Sequence, residues 1–145
     1  MPRIKLELPE RFMFTTELNV RISDINYGNH LGNDVVLALA HEARIQCLKQ
    51  SGLSELDAGG CGMMMTEAAV VYKSQAFHGD VLKVEVAVTE PGRCGCNFVY
   101  RISNKATGKD VAHVTTGIVF FDYAAGKVAR MPQKFATAFG CAAPA

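Results

Sequence analysis

Hydrophobic and polar residues alternate from Phe14 to Ile22. Phe14, Thr16, Leu18, Val20 and Ile22 fall on one side; Thr15, Glu17, Asn19 and Arg21 fall on the other. A period of two predicts a half-buried strand. From Asp34 to Gln50 the pattern changes to a run without a turn residue, apolar around most of its first half. That predicts one helix, roughly 25 Å long at ~1.5 Å per residue, buried nearly all round. Lys49 and Gly52 mark its end.

Beyond a small-residue loop at 53–62, strand patterns dominate. Residues 63–73 form a mixed apolar run, in which Met63, Met64 and Met65 read as core and Glu67 stands out. Residues 81–89 alternate cleanly, with Leu82, Val84, Val86 and Val88 against Lys83, Glu85, Ala87 and Thr89. Cys96, Phe98, Tyr100 and Ile102 alternate with Asn97, Val99, Arg101 and Ser103, and 109–121 is the last long strand. Turn residues separate these runs at 78–80, 90–93 and 104–108. Residues 1–11 read as a polar lead-in. The tail after Tyr123 carries Pro132 and ends in Ala and Pro, and fraying is expected past about Phe139.

The order is strand, helix, four strands. Short turns make the four later strands sequential antiparallel neighbours. Their apolar face needs a cover, and one helix is on offer. The expected fold is α+β, a curved antiparallel sheet of about five strands around one central helix, in a single domain over 1–145. One helix face and one sheet edge stay uncovered, which favours self-association as a homodimer or homotetramer.

Composition narrows the classes of function. The formal net charge is +1, so no basic field argues for nucleic acid. No apolar run reaches the ~18 residues of a membrane span, and Met1 to Lys5 lack the apolar region of a signal peptide. No membrane partner is expected, and the location reads as cytoplasmic. The five cysteines at 47, 61, 94, 96 and 141 have no zinc-type spacing and read as reduced core or turn residues, with no metal and no cofactor called for.

Candidate chemistry gathers in Ser23-Asp24-Ile25-Asn26-Tyr27-Gly28-Asn29-His30-Leu31-Gly32-Asn33-Asp34, between the first strand and the helix. Turn chemistry alone explains such a cluster: Asn and Asp bond nearby backbone, and Asn33 or Asp34 caps the helix. The sharper reading is a reactive site, because a helix N-terminus favours developing negative charge.

The hinge and the helix triplet Glu42-Ala43-Arg44 resemble the hotdog-fold acyl-CoA thioesterases related to 4-hydroxybenzoyl-CoA thioesterase. That family shows acid, any residue, acid, then a Gly-His-hydrophobic-Asn-Asn-like run and an acid-Ala-Arg triplet. The matching residues are Asp24, Asn26, Gly28, His30, Leu31, Asn33 and Glu42 to Arg44. Residues 77–82 and 92–102 resemble its next strands, so the likeness spans roughly 14–135.

The resemblance implies hydrolysis of acyl-CoA to free acid and coenzyme A. A carboxylate would act as base or nucleophile, and helix N-terminal amides would stabilise the oxyanion. Asn26 departs from the pattern, since many relatives hold an acid there and a carboxamide is neither base nor nucleophile. Asp24 is then the candidate base if 24 and 26 are both extended, with Asn26 orienting water; its other reading is a turn acceptor. His30 is a candidate to polarise water or bond the thioester. Tyr27, Gly28, Asn29 and Asn33 are candidates to bind substrate. Glu67 could supply the missing acid across a dimer interface, or form an ordinary ion pair. His41 reads as a core histidine, and Glu42 as a salt-bridge or subunit contact. The alternatives are an acyl-thioester binder without hydrolysis and an acyl-carrier-protein thioesterase. A hydratase lacks an identifiable acid–base pair.

Overall fold

The computed structural model describes residues 3–141. The chain runs β1 (Phe14–Asn19), a 3-10 turn (Ile22–Asp24), α1 (Asn33–Gln50), β2 (Gly62–Tyr72), β3 (Val81–Thr89), β4 (Gly95–Asn104), β5 (Asp110–Asp122), β6 (Lys127–Val128) and α2 (Gln133–Ala138). The strands form one antiparallel sheet in the order β1-β3-β4-β5-β2, with β6 beside β5. The sheet curves around α1, as expected.

The sheet order corrects one expectation. β2 does not pair with β3 but crosses to the far side of β5, where Met63 faces Phe120 and Val70 faces Val114. Sequential hairpins therefore hold only for β3-β4-β5. The sheet has six strands, because the two-residue β6 adds to five longer ones.

The core forms where the alternation predicts it. Val84, Val86, Phe98, Tyr100, Ile102, Val114 and Phe120 are buried on the concave face, against Val36, Leu39, Ala40, Ala43, Cys47 and Leu48 of α1. Burial removes solvation from a thiolate, and it pushes the thiols of Cys47 and Cys96 up to about 12. All five cysteines are free.

The helix is not buried all round. Asp34, Ala38, His41, Glu42 and Ile45 form an exposed ridge, because the sheet covers one side only. His41 is therefore no core histidine; its Nε2 meets Glu55 at 2.8 Å on the surface. Met64 and Met65 are exposed as well, since β2 is an edge strand. Ile22 is 71% exposed, because the chain leaves the strand geometry after Val20.

Across the buried side, Arg44 ties helix to sheet. Its Nη1 donates to the Tyr100 hydroxyl at 2.9 Å, which shares a 3.0 Å hydrogen bond with Thr116. The Arg44 Nε donates to Glu55 at 3.2 Å. Burial pushes the Tyr100 phenol up, against the opposing charge of Arg44.

The tail adds two elements that the sequence did not point to, β6 and α2. Phe135 of α2 is fully buried, edge-on to Phe120 with ring centres 4.9 Å apart and 4.5 Å from Phe139. The Cys141 amide donates to the Ala136 carbonyl at 2.8 Å. The rest of the stretch expected to fray lies outside the described residues. Phe135→Ala should lower unfolding stability by about 3–5 kcal/mol, as for other buried aromatic truncations. Chemical denaturation measures this; a loss below about 1 kcal/mol, typical of surface sites, would show that α2 does not close the core.

Candidate active site

The hinge is built mostly from backbone hydrogen bonds. The Asn26 amide donates to the His30 carbonyl at 2.9 Å, and the Asn29 amide to the Asn26 carbonyl at 3.0 Å. Ile25 and Leu31 form an antiparallel bridge. Two further bonds moor the loop: Leu31 to the Ala76 carbonyl at 2.8 Å and Gly32 to the Asp24 carbonyl at 3.0 Å. The loop therefore enters α1 along a fixed path. Gly32, not Asn33 or Asp34, is the N-cap, and no side chain caps it.

Asp24 ends the 3-10 turn, so residues 24 and 26 are not both extended and the geometry assumed for them is absent. Asp24 is 4% exposed. Its carboxylate accepts from the Arg21 amide at 2.8 Å and meets the Arg21 guanidinium at 3.4 Å. Asn26 is likewise engaged, its Oδ1 accepting from the Gly28 amide at 2.9 Å. Both make the hydrogen bonds of a turn.

His30 is disposed differently. Its Nδ1 lies 3.1 Å from the Leu31 carbonyl. A carbonyl oxygen only accepts, so Nδ1 carries the proton and Nε2 keeps the lone pair in the neutral ring. His30 and Asn33 line a groove of about 290 Å³ with Val36, Tyr72, Lys73, Ser74 and Ala76. The Tyr72 hydroxyl donates to the Asn33 carbonyl at 3.0 Å, pinning the end of β2 to the start of α1.

Asp24 lines a separate groove of about 490 Å³ on the β1 side of α1, with Glu17, Arg21, Leu39 and Glu42. The hinge thus brings His30 and Asn33 together and sets Asp24 apart from them. Tyr27 projects fully into solvent. Glu67 stands apart too. Met65 pairs with Ile118, but a bulge follows, and Glu67 pairs with Gly117 on the outer face of the sheet. A Cβ added at Gly117 would lie 2.7 Å from the Glu67 Cγ. Among the described residues no group of three or more His, Cys, Asp or Glu could hold a metal ion.

A family model described as the thioesterase-like superfamily matches residues 20–139. The chain belongs to this superfamily. Among solved structures it resembles a 1,4-dihydroxy-2-naphthoyl-CoA thioesterase from Synechocystis, at 25% identity and TM-score 0.81, over 88% of this chain and 95% of that one. It also resembles a probable thioesterase from Escherichia coli, at 17% identity and TM-score 0.74, covering 87% and 96%. A third likeness is a Staphylococcus aureus protein solved in complex with CoA, at 15% identity and TM-score 0.80, covering 94% and 86%. No curated protein matches. These likenesses establish the hotdog fold.

Within the superfamily's hinge, the conformational demand falls on one residue that the sequence did not single out for it. Asn29, directly before His30, has φ 64°, the left-handed region that Asn tolerates better than most residues. Gly28 is not strained in this way. A Cβ there would sit 3.1 Å from the His30 Nε2 and 3.2 Å from the Asn26 Oδ1. Gly28→Val should therefore push the imidazole aside and cut turnover while Tm moves little. Asn29→Val should instead lose about 1–2 kcal/mol through backbone strain. Turnover and melting curves on both variants separate the effects; an active, stable Gly28→Val would show that the hinge is only a turn.

Proposed function

We propose that the protein hydrolyses acyl-CoA thioesters, with His30 as general base. The observation behind this reading is that His30, whose Nε2 keeps the lone pair of the neutral ring, lines a groove shared with the uncapped start of α1. Water held by Nε2 attacks the thioester carbonyl as Nε2 takes its proton. The carbonyl oxygen gains charge and is met by first-turn amides of α1 and the Asn33 side chain. The C–S bond then breaks, and the imidazolium returns the proton to the leaving thiolate. Products are free acid and thiol. Asn26, Gly28 and Asn29 shape the turn that aims His30, and the fully exposed Tyr27 has no part in this reading.

Asp24 has a different part in this reading. Its carboxylate already serves the Arg21 amide, so it braces the hinge. His30→Gln should lower kcat by roughly 10²–10⁴-fold, as loss of a general base does. Asp24→Asn should change kcat by only a few-fold and lower stability by about 1 kcal/mol, on the scale of a lost cap. Thiol release from a panel of acyl-CoAs checks both. A large kcat loss in Asp24→Asn with full activity in His30→Gln would return the base to Asp24.

One observation favours a second reading. Asn26 stands where many relatives have an acid, and its carboxamide is spent within the turn. The protein would then bind acyl thioesters without cleaving them. Saturable binding of the whole panel with no thiol release decides for it.

We further propose a homodimer, or a tetramer built from dimers, joined through the free edge of β2. Residues 64–68 are exposed on that edge, and Ala38 and His41 of the α1 ridge line a groove with Met65. An edge strand next to uncovered apolar surface invites a second copy. Sedimentation at micromolar concentration should give a dimer or larger; a stable monomer overturns this.

A further inference from the structure

Resting on the acyl-CoA reading, we propose that the nucleotide end of coenzyme A, an adenosine diphosphate bearing a 3′-phosphate, lies in a second groove beyond the His30 groove. This groove, about 540 Å³, is lined by Lys73, Ser74, Gln75, Phe77, Asp80, Asn104, Thr107 and Lys109. Three of these residues, Lys73, Ser74 and Gln75, also line the His30 groove. The two therefore form one path from the helix start to the β4–β5 turn.

The floor of the path is preformed. The amides of Lys73 and Ser74 both donate to the Val111 carbonyl, at 2.8 and 3.2 Å. The Ser74 hydroxyl donates to the Asp110 carbonyl at 2.6 Å. A segment already fixed in this way loses little freedom when a ligand binds over it.

Charge selects this direction. Lys73 and Lys109 are both exposed. Asp80, the one acid of this groove, has its carboxylate turned to the Phe77 amide at 2.9 Å. The groove on the other side of α1 holds Glu17, Asp24 and Glu42 against Arg21, and Arg21 is already paired with Asp24. A polyanion is repelled there and attracted along the lysine side. At the far wall Phe77 is 49% exposed, a flat ring on which adenine can stack.

The test compares hydrolysis of an acyl-CoA with that of the same acyl group on pantetheine, which lacks the nucleotide. The readout is the ratio of the two kcat/KM values, so a general loss of activity cancels. Lys109→Glu and Phe77→Ala touch only the outer groove. Each should lower the ratio, and the charge reversal should do so by roughly fivefold or more, reckoned from an exposed ion pair of about 1 kcal/mol. Rising salt should lower the ratio in the unaltered protein. A ratio near one in the unaltered protein, an unchanged ratio in both variants, or preference for an acyl carrier protein overturns the proposal. If neither thioester is cleaved, the hydrolytic reading fails, and calorimetry with 3′-phospho-ADP tests the groove alone. Binding that Lys109→Glu weakens supports the groove; no binding, or binding the variant leaves unchanged, overturns it.

Discussion

A buried guanidinium fixes the helix in its sheet. A charge out of water is costly unless fully paired, and Arg44, 5% exposed, meets that need with Glu55 and the Tyr100 hydroxyl. These partners come from the loop before β2 and from the middle of β4. Three otherwise distant segments must therefore meet in one arrangement. An apolar helix could rotate or slide on an apolar sheet at small cost; a helix pinned by directional bonds cannot. The orientation of α1 sets where its first turn points, and the hinge and the grooves depend on that.

The hinge shows how a polar cluster divides its labour. Asp24 and Asn26 look reactive in the sequence, yet their side chains close the turn. His30 bonds the chain through one nitrogen only. Its second nitrogen keeps the lone pair of the neutral ring. With Asn26 spent in the turn, this hinge still holds one proton acceptor beside the start of α1.

Much of the fold was legible because local patterns dictated it. Strict alternation placed β3 and β4, and an unbroken apolar run placed α1. The errors came where distant contacts decided. Nothing within β2 says that it pairs with β5 rather than β3, because both choices satisfy its apolar residues. α2 is too short to show a period, and its buried Phe135 needs Phe98 and Phe120 as neighbours before it reads as core. In the candidate site, the motif singled out His30 and Asn33, and both line one groove. The separation of Asp24 from them was not legible, since it follows from a 3-10 turn of three residues. The left-handed conformation of Asn29 was also hidden, because Asn serves in turns with either sign of φ and its identity does not say which.

The extra residue in β2 gives that strand two phases. Up to Met65 the odd-numbered side chains address the helix; from Glu67 onward the even-numbered ones do. Thr66 takes up the difference and donates its hydroxyl to the Gly117 carbonyl at 3.3 Å. Thr66 is a spacer with no partner of its own in β5, where Ile118 and Gly117 are consecutive. Deleting it would leave Glu67 against Gly117 directly after Met65 against Ile118, a regular ladder with Val70 still facing the core. Removing a paired residue on either side would instead turn every side chain between it and the strand end to the other face. The bulge is thus the one place in β2 where the chain tolerates a change of length.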